Sequence, residues 1–356
     1  MPILLLDLGN EWRGGQRQVL YLAEALHQQG EFGVRIAAPR QSPLCQYAQA
    51  RGVPVLPLPG RREWHAGNWL QMVRWLRRHR SILHTNDARS AALGAGLRRL
   101  LPQNTRLVHT RRVSYPLRRG LLPNKYHAGD HLVAVSGEIG NILEKSGIGP
   151  HRLSVIHSAV DPERYPRRDP SLPWPQTPLA LGCIGSLTPQ KGHHVLLAAL
   201  ATAHAGEGLP EWRLQLLGQG PLRAKLQQQA EALGIADWVR FCGYQDSREY
   251  LAGFDLLLVP SVDGEGSSAV IKEAWASGVP VIASDLPGNQ ELITHRENGL
   301  VFRTTHSEDL AARMLEILSD PALAKQCVQG GWVSSRGYTP AAMAGHYLQC
   351  YRRLHL

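Results

Sequence analysis

The chain has 356 residues, 43% of them hydrophobic and 19% charged, with a formal net charge of +10. That length suits two α/β domains better than one, and five scattered cysteines without a CxxC pair argue against a disulfide framework. The charge is uneven, +12 up to Tyr165 and −2 beyond it, an asymmetry that suggests a nucleic acid or an anionic membrane surface as partner.

The first apolar run, Ile3–Leu6, is too short for a secretory signal and lacks its basic flank. It reads as a buried first strand. Gln16–Gln29 reads as a helix with Val19, Leu22, Ala23 and Leu26 on one face. Strands follow at Val34–Ala38 and Val53–Pro57, then a helix at Trp69–Arg80, a strand at Ile82–Thr85 and a helix at Ala88–Arg99. Leu107–Thr110 and His131–Ser136 read as strands and Gly137–Ser146 as a helix. Strands alternating with helices imply a parallel sheet covered on both faces. No window approaches the roughly 18 uninterrupted apolar residues of a membrane span.

From Asp161 to Pro178 stand Pro162, Pro166, Pro170, Pro173, Pro175 and Pro178. That density continues neither a helix nor a central strand, and the stretch reads as an interdomain linker. The rhythm then restarts. Strands are expected at Leu179–Ile184, Trp212–Leu217, Val239–Cys242, Leu256–Val259, Val279–Ala283 and Gly299–Phe302. Helices are expected at His193–Ala203, Leu222–Leu233, Ser247–Ala252, Ser267–Ser277, Asn289–Ile293, Glu308–Leu318 and Pro340–Leu354. The expected domains are residues 1–163 and 164–339, with the helix at 340–356 packing back on the first. Two doubly wound domains would leave a ligand cleft at the carboxyl ends of their strands.

The richest segment runs from Pro260 to Val281. A strand ends, a polar loop carries Glu265, Gly266, Ser267 and Ser268, and a helix carrying Glu273 begins. The unpaired amides of a helix start suit a diphosphate or sugar hydroxyls. Earlier, Gly185-Ser186-Leu187 runs on to Lys191-Gly192 after a strand, and Val239 to Gly243-Tyr244 forms another strand end. In the first half, Gly14-Gly15 joins the first strand to the first helix without the Gly-Lys-Ser/Thr of a P-loop, and His109 ends a strand. His84 ends another, and is read as facing the cleft.

Glu-x7-Glu followed by Ala-x-Ala-x-Gly-x-Pro-Val resembles the donor-site signature of retaining GT-B glycosyltransferases, especially glycosyltransferase family 4. The likeness continues through Ala283-Ser284-Asp285, Gly288-Asn289, Glu291 and Asn298-Gly299, about forty residues in all. The fold it implies is α/β, GT-B, two Rossmann-like doubly wound domains facing a central cleft. The resemblance implies that Glu265 contacts the transferred sugar, Glu273 the ribose, and His109 the sugar from the first domain. It implies that Lys191 neutralises the leaving diphosphate, that the loop after Gly243-Tyr244 cradles the base, and that Gly14-Gly15 borders donor and acceptor. Ser186 stands where the family commonly has arginine, so one phosphate-binding cation is absent.

The expected activity is metal-independent transfer, with retention, from a nucleotide-sugar, UDP-sugar favoured, to a glycan or lipid-linked acceptor of lipopolysaccharide or another envelope polysaccharide. No cofactor or metal is expected, because no Asp-x-Asp ends a strand. Arg111, Arg112, Arg118 and Arg119, interleaved with Leu117, Leu121 and Leu122, are candidates for the acceptor or for anionic headgroups. The expected location is the cytoplasm, at the inner face of the membrane. Another GT-B enzyme, such as a sugar-nucleotide epimerase, is the alternative. A basic nucleic-acid-binding protein is a distant one, since no recognition helix, zinc finger or aromatic RNA platform is present.

Overall fold

Ile3, Leu4, Leu5 and Leu6 are all buried and form β1 (Ile3–Leu6), a strand whose two faces both meet helices. The structure is a computed structural model, and it describes residues 1–117, 124–169, 171, 173–206, 208–264 and 266–355. It divides into unit 1, Met1–Ala159 with the segment from Pro340 onward, and unit 2, Val160–Thr339.

In unit 1, β1 is followed by α1 (Gly14–Gln29), β2 (Val34–Pro39), α2 (Pro43–Ala50), β3 (Val55–Leu58), α3 (Ala66–Arg78) and β4 (Ser81–Thr85). Then come α4 (Ala88–Leu100), β5 (Thr105–Arg111), β6 (His131–Ala134), α5 (Gly137–Lys145) and β7 (Leu153–Val155). Among the described residues these strands form a seven-stranded parallel sheet in the order β3-β2-β1-β4-β5-β6-β7. Alternate residues feed opposite layers: Ile3 and Leu5 pack with α1 and the last helix, Leu4 and Leu6 with α3 and α4. Each such leucine contributes about 1.5–3 kcal/mol on burial.

Asp87 starts α4. Its carboxylate accepts from the Arg89 amide (2.7 Å) and the Ser90 amide (3.0 Å), while Ser90 returns a bond to the Asp87 amide. The other oxygen accepts from the Leu8 amide at 2.6 Å. One side chain therefore caps a helix and ties the exits of β1 and β4 together.

The last helix, Pro340–His355, closes unit 1. Met343, Ala344, Tyr347 and Tyr351 enter the core beside α1. Its tyrosines correct the reading of His84. That ring is fully buried, with Nδ1 2.6 Å from the Tyr351 hydroxyl and Nε2 2.7 Å from Thr110 Oγ1, which lies 2.9 Å from the Tyr347 hydroxyl. His84 is a satisfied core histidine rather than a cleft residue, because both ring nitrogens are spent inside the unit.

Unit 2 contains β8 (Leu179–Ile184), α6 (His193–Ala205), β9 (Trp212–Leu217), α7 (Arg223–Ala232), β10 (Val239–Gly243) and β11 (Leu256–Val259). They are followed by α8 (Ala269–Ser277), β12 (Val281–Ser284), α9 (Pro287–Gln290), β13 (Leu300–Phe302), α10 (Ser307–Ser319) and α11 (Pro321–Ser335). Its sheet is six-stranded and parallel, in the order β10-β9-β8-β11-β12-β13 among the described residues. In both sheets the strand order reverses beside the first strand of the unit, which is the doubly wound pattern.

The Pro-rich segment docks on unit 2. Asp255 is fully buried and accepts from Arg168 Nη2 (2.7 Å), the Gln176 amide (3.2 Å) and the Ala180 amide (2.8 Å), and its carbonyl accepts from Trp174 Nε1 (3.0 Å). A buried carboxylate so fully bonded fixes the segment against the start of β8 and β11. Among the described residues no helix is long and apolar enough to cross a membrane.

Candidate active site

In unit 2 the loops leaving the carboxyl ends of four neighbouring strands are bonded to one another through the main chain. The Gly185 amide donates to Leu217 O (2.9 Å), Leu187 to Gln219 O (3.0 Å), Gly218 to Gly243 O (2.7 Å) and Val262 to Gln190 O (2.8 Å). Side chains are excluded at three crossings. A β-carbon on Gly218 would lie 1.8 Å from the Gly185 carbonyl oxygen, on Gly220 2.4 Å from that of Leu187, and on Gly192 1.9 Å from that of Pro260. Gly192 also has φ +63°, where glycine carries no steric cost. The Lys191-Gly192 pair thus has a packing reason: the glycine lets the loop after β8 press against the end of β11.

Lys191 closes the 3-10 turn Pro189–Lys191 and is half-buried. Its methylene stem crosses Gly185, where a β-carbon would meet Cδ at 3.6 Å. Ser186 is exposed, its hydroxyl 3.4 Å from that of Thr188. Gly243 has φ +74° and ends β10, and Tyr244 beyond it is 71% exposed.

Gly266, Ser267 and Ser268 lead into α8; Glu265 lies outside the described residues. Ser268 is the N-cap but makes no side-chain cap bond, so the first amides of α8 are not taken by their own cap. Glu273 is buried, and its carboxylate accepts from Ser247 Oγ at 3.0 Å, from the loop after β10. Its neighbour Lys272 is fully buried. Nζ donates to Ser267 Oγ at 2.8 Å and lies 5.0 Å from the centre of the Tyr338 ring. A buried ammonium and a buried carboxylate on adjacent positions of α8 therefore hold the loops before it and beside it.

In unit 1, Gly14 and Gly15 are the first residues of α1. A β-carbon on Gly15 would reach Arg112 Cδ at 3.8 Å and one on Gly14 would meet nothing within 4 Å, so neither glycine is demanded by packing within the unit. His109 is fully buried near the end of β5. Thr85 Oγ1 lies 2.6 Å from its Nδ1, the Tyr126 ring stands edge-on at 5.3 Å, and Nε2 has no side-chain hydrogen-bond partner among the described residues. Burial pushes its pKa down to about 3, against a hydrogen bond with the Lys125 main chain that raises it, so the ring is neutral near pH 7. Asp7, just past β1, accepts from the Gly9 amide (2.8 Å) and Gln16 Nε2 (3.1 Å). Burial first, then the nearby Asp87 charge, push its pKa up to about 6.

Arg111 is buried at the end of β5, and its guanidinium donates to the Tyr115 carbonyl. That position corrects one half of its reading: a residue 2% exposed offers no open face to a membrane surface, though it can still line a pocket that a phosphate enters. Arg112 is half-buried and donates to Ser158 Oγ at 3.1 Å. Arg118 and Arg119, with Leu121 and Leu122, lie outside the described residues.

Within unit 2, Ser186, Lys191, Gly243, Tyr244, Gly266, Ser267, Ser268 and Glu273 share the carboxyl end of one sheet. Within unit 1, Gly14, Gly15, His109, Arg111 and Arg112 share that of the other. Asp7, Asp87, Ser247 and Lys272 were not singled out from sequence. Asp87 has a legible signal, an acid directly before a helix and three residues before Ser90. Ser247 and Lys272 have none, since their partners come from other loops.

Residues 12–164 match the family model described as Glycosyltransferase Family 4, and residues 178–320 the one described as Glycosyl transferases group 1. The lipopolysaccharide core biosynthesis glycosyltransferase LpsE of Rhizobium meliloti is 33% identical over 168 residues, 47% of this chain and 47% of that protein. The phosphatidyl-myo-inositol mannosyltransferase of Mycobacterium leprae is 25% identical over 361 residues, covering 95% of this chain and 92% of that one. The chain spans about half or less of the length of the first curated relatives it matches. Among solved structures, HepE of Anabaena in complex with UDP has a TM-score of 0.84 at 19% identity, covering 99% of this chain and 100% of that one. That likeness shows the fold, GT-B.

Proposed function

The chain belongs to the glycosyltransferases that join a family 4 domain to a group 1 domain, and we propose that it moves a sugar from UDP to a glycan or lipid-linked acceptor. The transfer serves lipopolysaccharide or another envelope polysaccharide, retains the anomeric configuration and uses no metal. The supporting observation is the knitted loop cluster of unit 2 at the carboxyl ends of β8 to β11, with Lys191 on one of its loops and Glu273 of α8 bonded to Ser247 of another. UDP is favoured because HepE was solved with UDP and with UDP-glucose, and the envelope role because LpsE serves lipopolysaccharide core biosynthesis.

In this reading Lys191 and the amides at the start of α8 take the charge of the departing diphosphate. Glu265 and Glu273 hold sugar and ribose hydroxyls, and His109, a neutral ring, meets the sugar from unit 1. Thermal-shift titration with UDP-, GDP- and ADP-sugars tests the donor, and NMR of the product tests the configuration. A UDP-sugar is expected to stabilise the protein most, to give a retained linkage, and to turn over equally with EDTA. No response to any nucleotide-sugar, or an inverted product, would sink the assignment.

The +12 charge up to Tyr165 carries the further part of the reading, a peripheral position on the anionic inner face of the cell membrane. Each basic residue near such a surface contributes about 1 kcal/mol. Flotation with liposomes is expected to recover the protein on anionic vesicles at low salt. Equal recovery on neutral vesicles would count against it.

A further inference from the structure

Unit 1 contains a cavity of about 610 Å³ walled by Ala88, Arg111, Tyr115, Leu117, Lys125 and Tyr126, among other residues. Its size falls within the range of small-molecule sites, about 300–1,000 Å³. Ala88 opens α4 just past β4, and Arg111 ends β5, so the cavity sits at carboxyl ends beside the reversal of strand order, where doubly wound sheets seat ligands.

The charged groups on the described walls are both cations. The Arg111 guanidinium is fixed by the Tyr115 carbonyl and lies 5.1 Å from the centre of the Tyr115 ring and 5.3 Å from that of Tyr126. Its Nε is buried and has no hydrogen-bond partner among the described residues. Lys125 Nζ donates to the Ala88 carbonyl and lies 5.8 Å from the centre of the same Tyr126 ring. An ammonium bound to one carbonyl keeps two further N–H donors. Asp87 and Glu63 both act on Lys125 from outside the cavity walls, and the Asp87 oxygens already accept from the Leu8, Arg89 and Ser90 amides. Among the described residues neither cation forms an ion pair on the walls, and positive charge desolvated in this way favours an incoming anion. Burial also lowers the pKa of Lys125, the direction expected of a cation held without full compensation.

We propose that this cavity seats a phosphate monoester of the acceptor, with Arg111 and Lys125 binding the phosphate and the exposed Tyr115 stacking on the sugar that carries it. Two cations match a dianion better than a single carboxylate. The proposal rests on the glycosyltransferase reading, because the acceptor is the substrate left for unit 1 when the loops of unit 2 hold the donor.

Calorimetric titration of the full chain with glucose 6-phosphate, glucose, glucuronate, inorganic phosphate and UDP tests it. Glucose 6-phosphate is expected to bind and glucose not to. Lys125→Met and Arg111→Lys should each weaken glucose 6-phosphate by at least about tenfold, the worth of a charge-assisted bond, with UDP affinity unchanged. Tyr115→Ala should weaken glucose 6-phosphate but not inorganic phosphate. Half-buried Lys125 is the safer site if buried Arg111 proves necessary for folding. Vesicles of phosphatidic acid that compete with glucose 6-phosphate would place the phosphate on a lipid, and lack of competition would place it on a soluble glycan; both support the seat. Failure of glucose 6-phosphate to bind at millimolar concentration, unchanged affinity in Lys125→Met, or glucuronate binding as tightly would overturn it. Loss of UDP binding by the unaltered chain would overturn the glycosyltransferase reading instead, with the phosphate titrations read separately.

Discussion

Replacing Lys191 by Met is expected to lower turnover with a UDP-sugar by about 10²–10³-fold, the typical cost of removing one preorganised group that meets developing charge. The departing diphosphate gains negative charge as the glycosidic bond breaks. Ser186 stands where the resembling family carries arginine, so a larger share of that charge falls on Lys191. The Lys191-Gly192 turn is held by the approach of Gly192 to the Pro260 carbonyl, which fixes where the side chain starts without depending on its charge. Met keeps the methylene stem that crosses Gly185, so the melting temperature should stay close to that of the unaltered chain. The loss should fall mainly on kcat, because the interaction strengthens on the way to the transition state. Steady-state assays of UDP release settle it. A Lys191→Met protein retaining more than about a third of wild-type turnover would remove Lys191 from the mechanism.

The fold was most legible where strands are buried on both faces. Ile3–Leu6, Leu179–Ile184 and Leu256–Val259 agree with β1, β8 and β11, because such strands read as unbroken apolar runs. Short or edge elements left weaker traces. β7, Leu153–Val155, is a three-residue edge strand with only one alternation to read. α2 is eight residues long, and its signal was the Ser42-Pro43 pair at its start, with Ser42 Oγ accepting from the Cys45 amide. α11 was hidden by Gly330-Gly331, which resembles a helix breaker. In place, a β-carbon on Gly330 would lie 2.2 Å from the Glu297 carbonyl oxygen and one on Gly331 2.3 Å from the Trp275 ring. Those glycines let α11 pack closely rather than end it, and the partners that require them are distant in sequence.

The candidate site divides along the same line. The loops after β8 and β11 were legible because their glycines and polar residues follow strands in a fixed order. As strand-end histidines alone His84 and His109 read alike, and only the family resemblance set His109 apart. His84 is consumed by Tyr351, 267 residues away, whereas His109 Nε2 has no side-chain hydrogen-bond partner among the described residues. That difference is set by the last helix, and nothing local to either histidine announces it.

The same buried histidines make stability fall steeply with acid. Unit 1 holds His84 well below its ordinary pKa through burial and then the Arg112, His109 and His131 charges. It holds His109 at about 3 and His131 at about 4, both chiefly through burial. In the unfolded chain each returns to about 6.5. Between pH 6.5 and about 4 the unfolded state therefore binds protons that the folded state refuses. Stability is fully present above 6.5 and is lost as pH falls. Asp7 works in the opposite direction. Its folded pKa of about 6 exceeds the ordinary 3.8, so the folded state takes up a proton first and gains stability as pH falls through 6. Near pH 5 the three histidines outweigh the one aspartate by about two protons, a loss of about 3 kcal/mol per pH unit for unit 1. Unit 2 adds His193, held at about 4 by burial and then by Lys191 and His194, at about 1.4 kcal/mol per pH unit. Urea unfolding followed from pH 7 to 5 should show midpoints falling at each step. Asp7→Asn removes the opposing proton and should steepen the slope for unit 1 by about half. A flat profile would mean that these rings take up protons in the folded state, and the buried, neutral His109 of the proposed mechanism would fall with it.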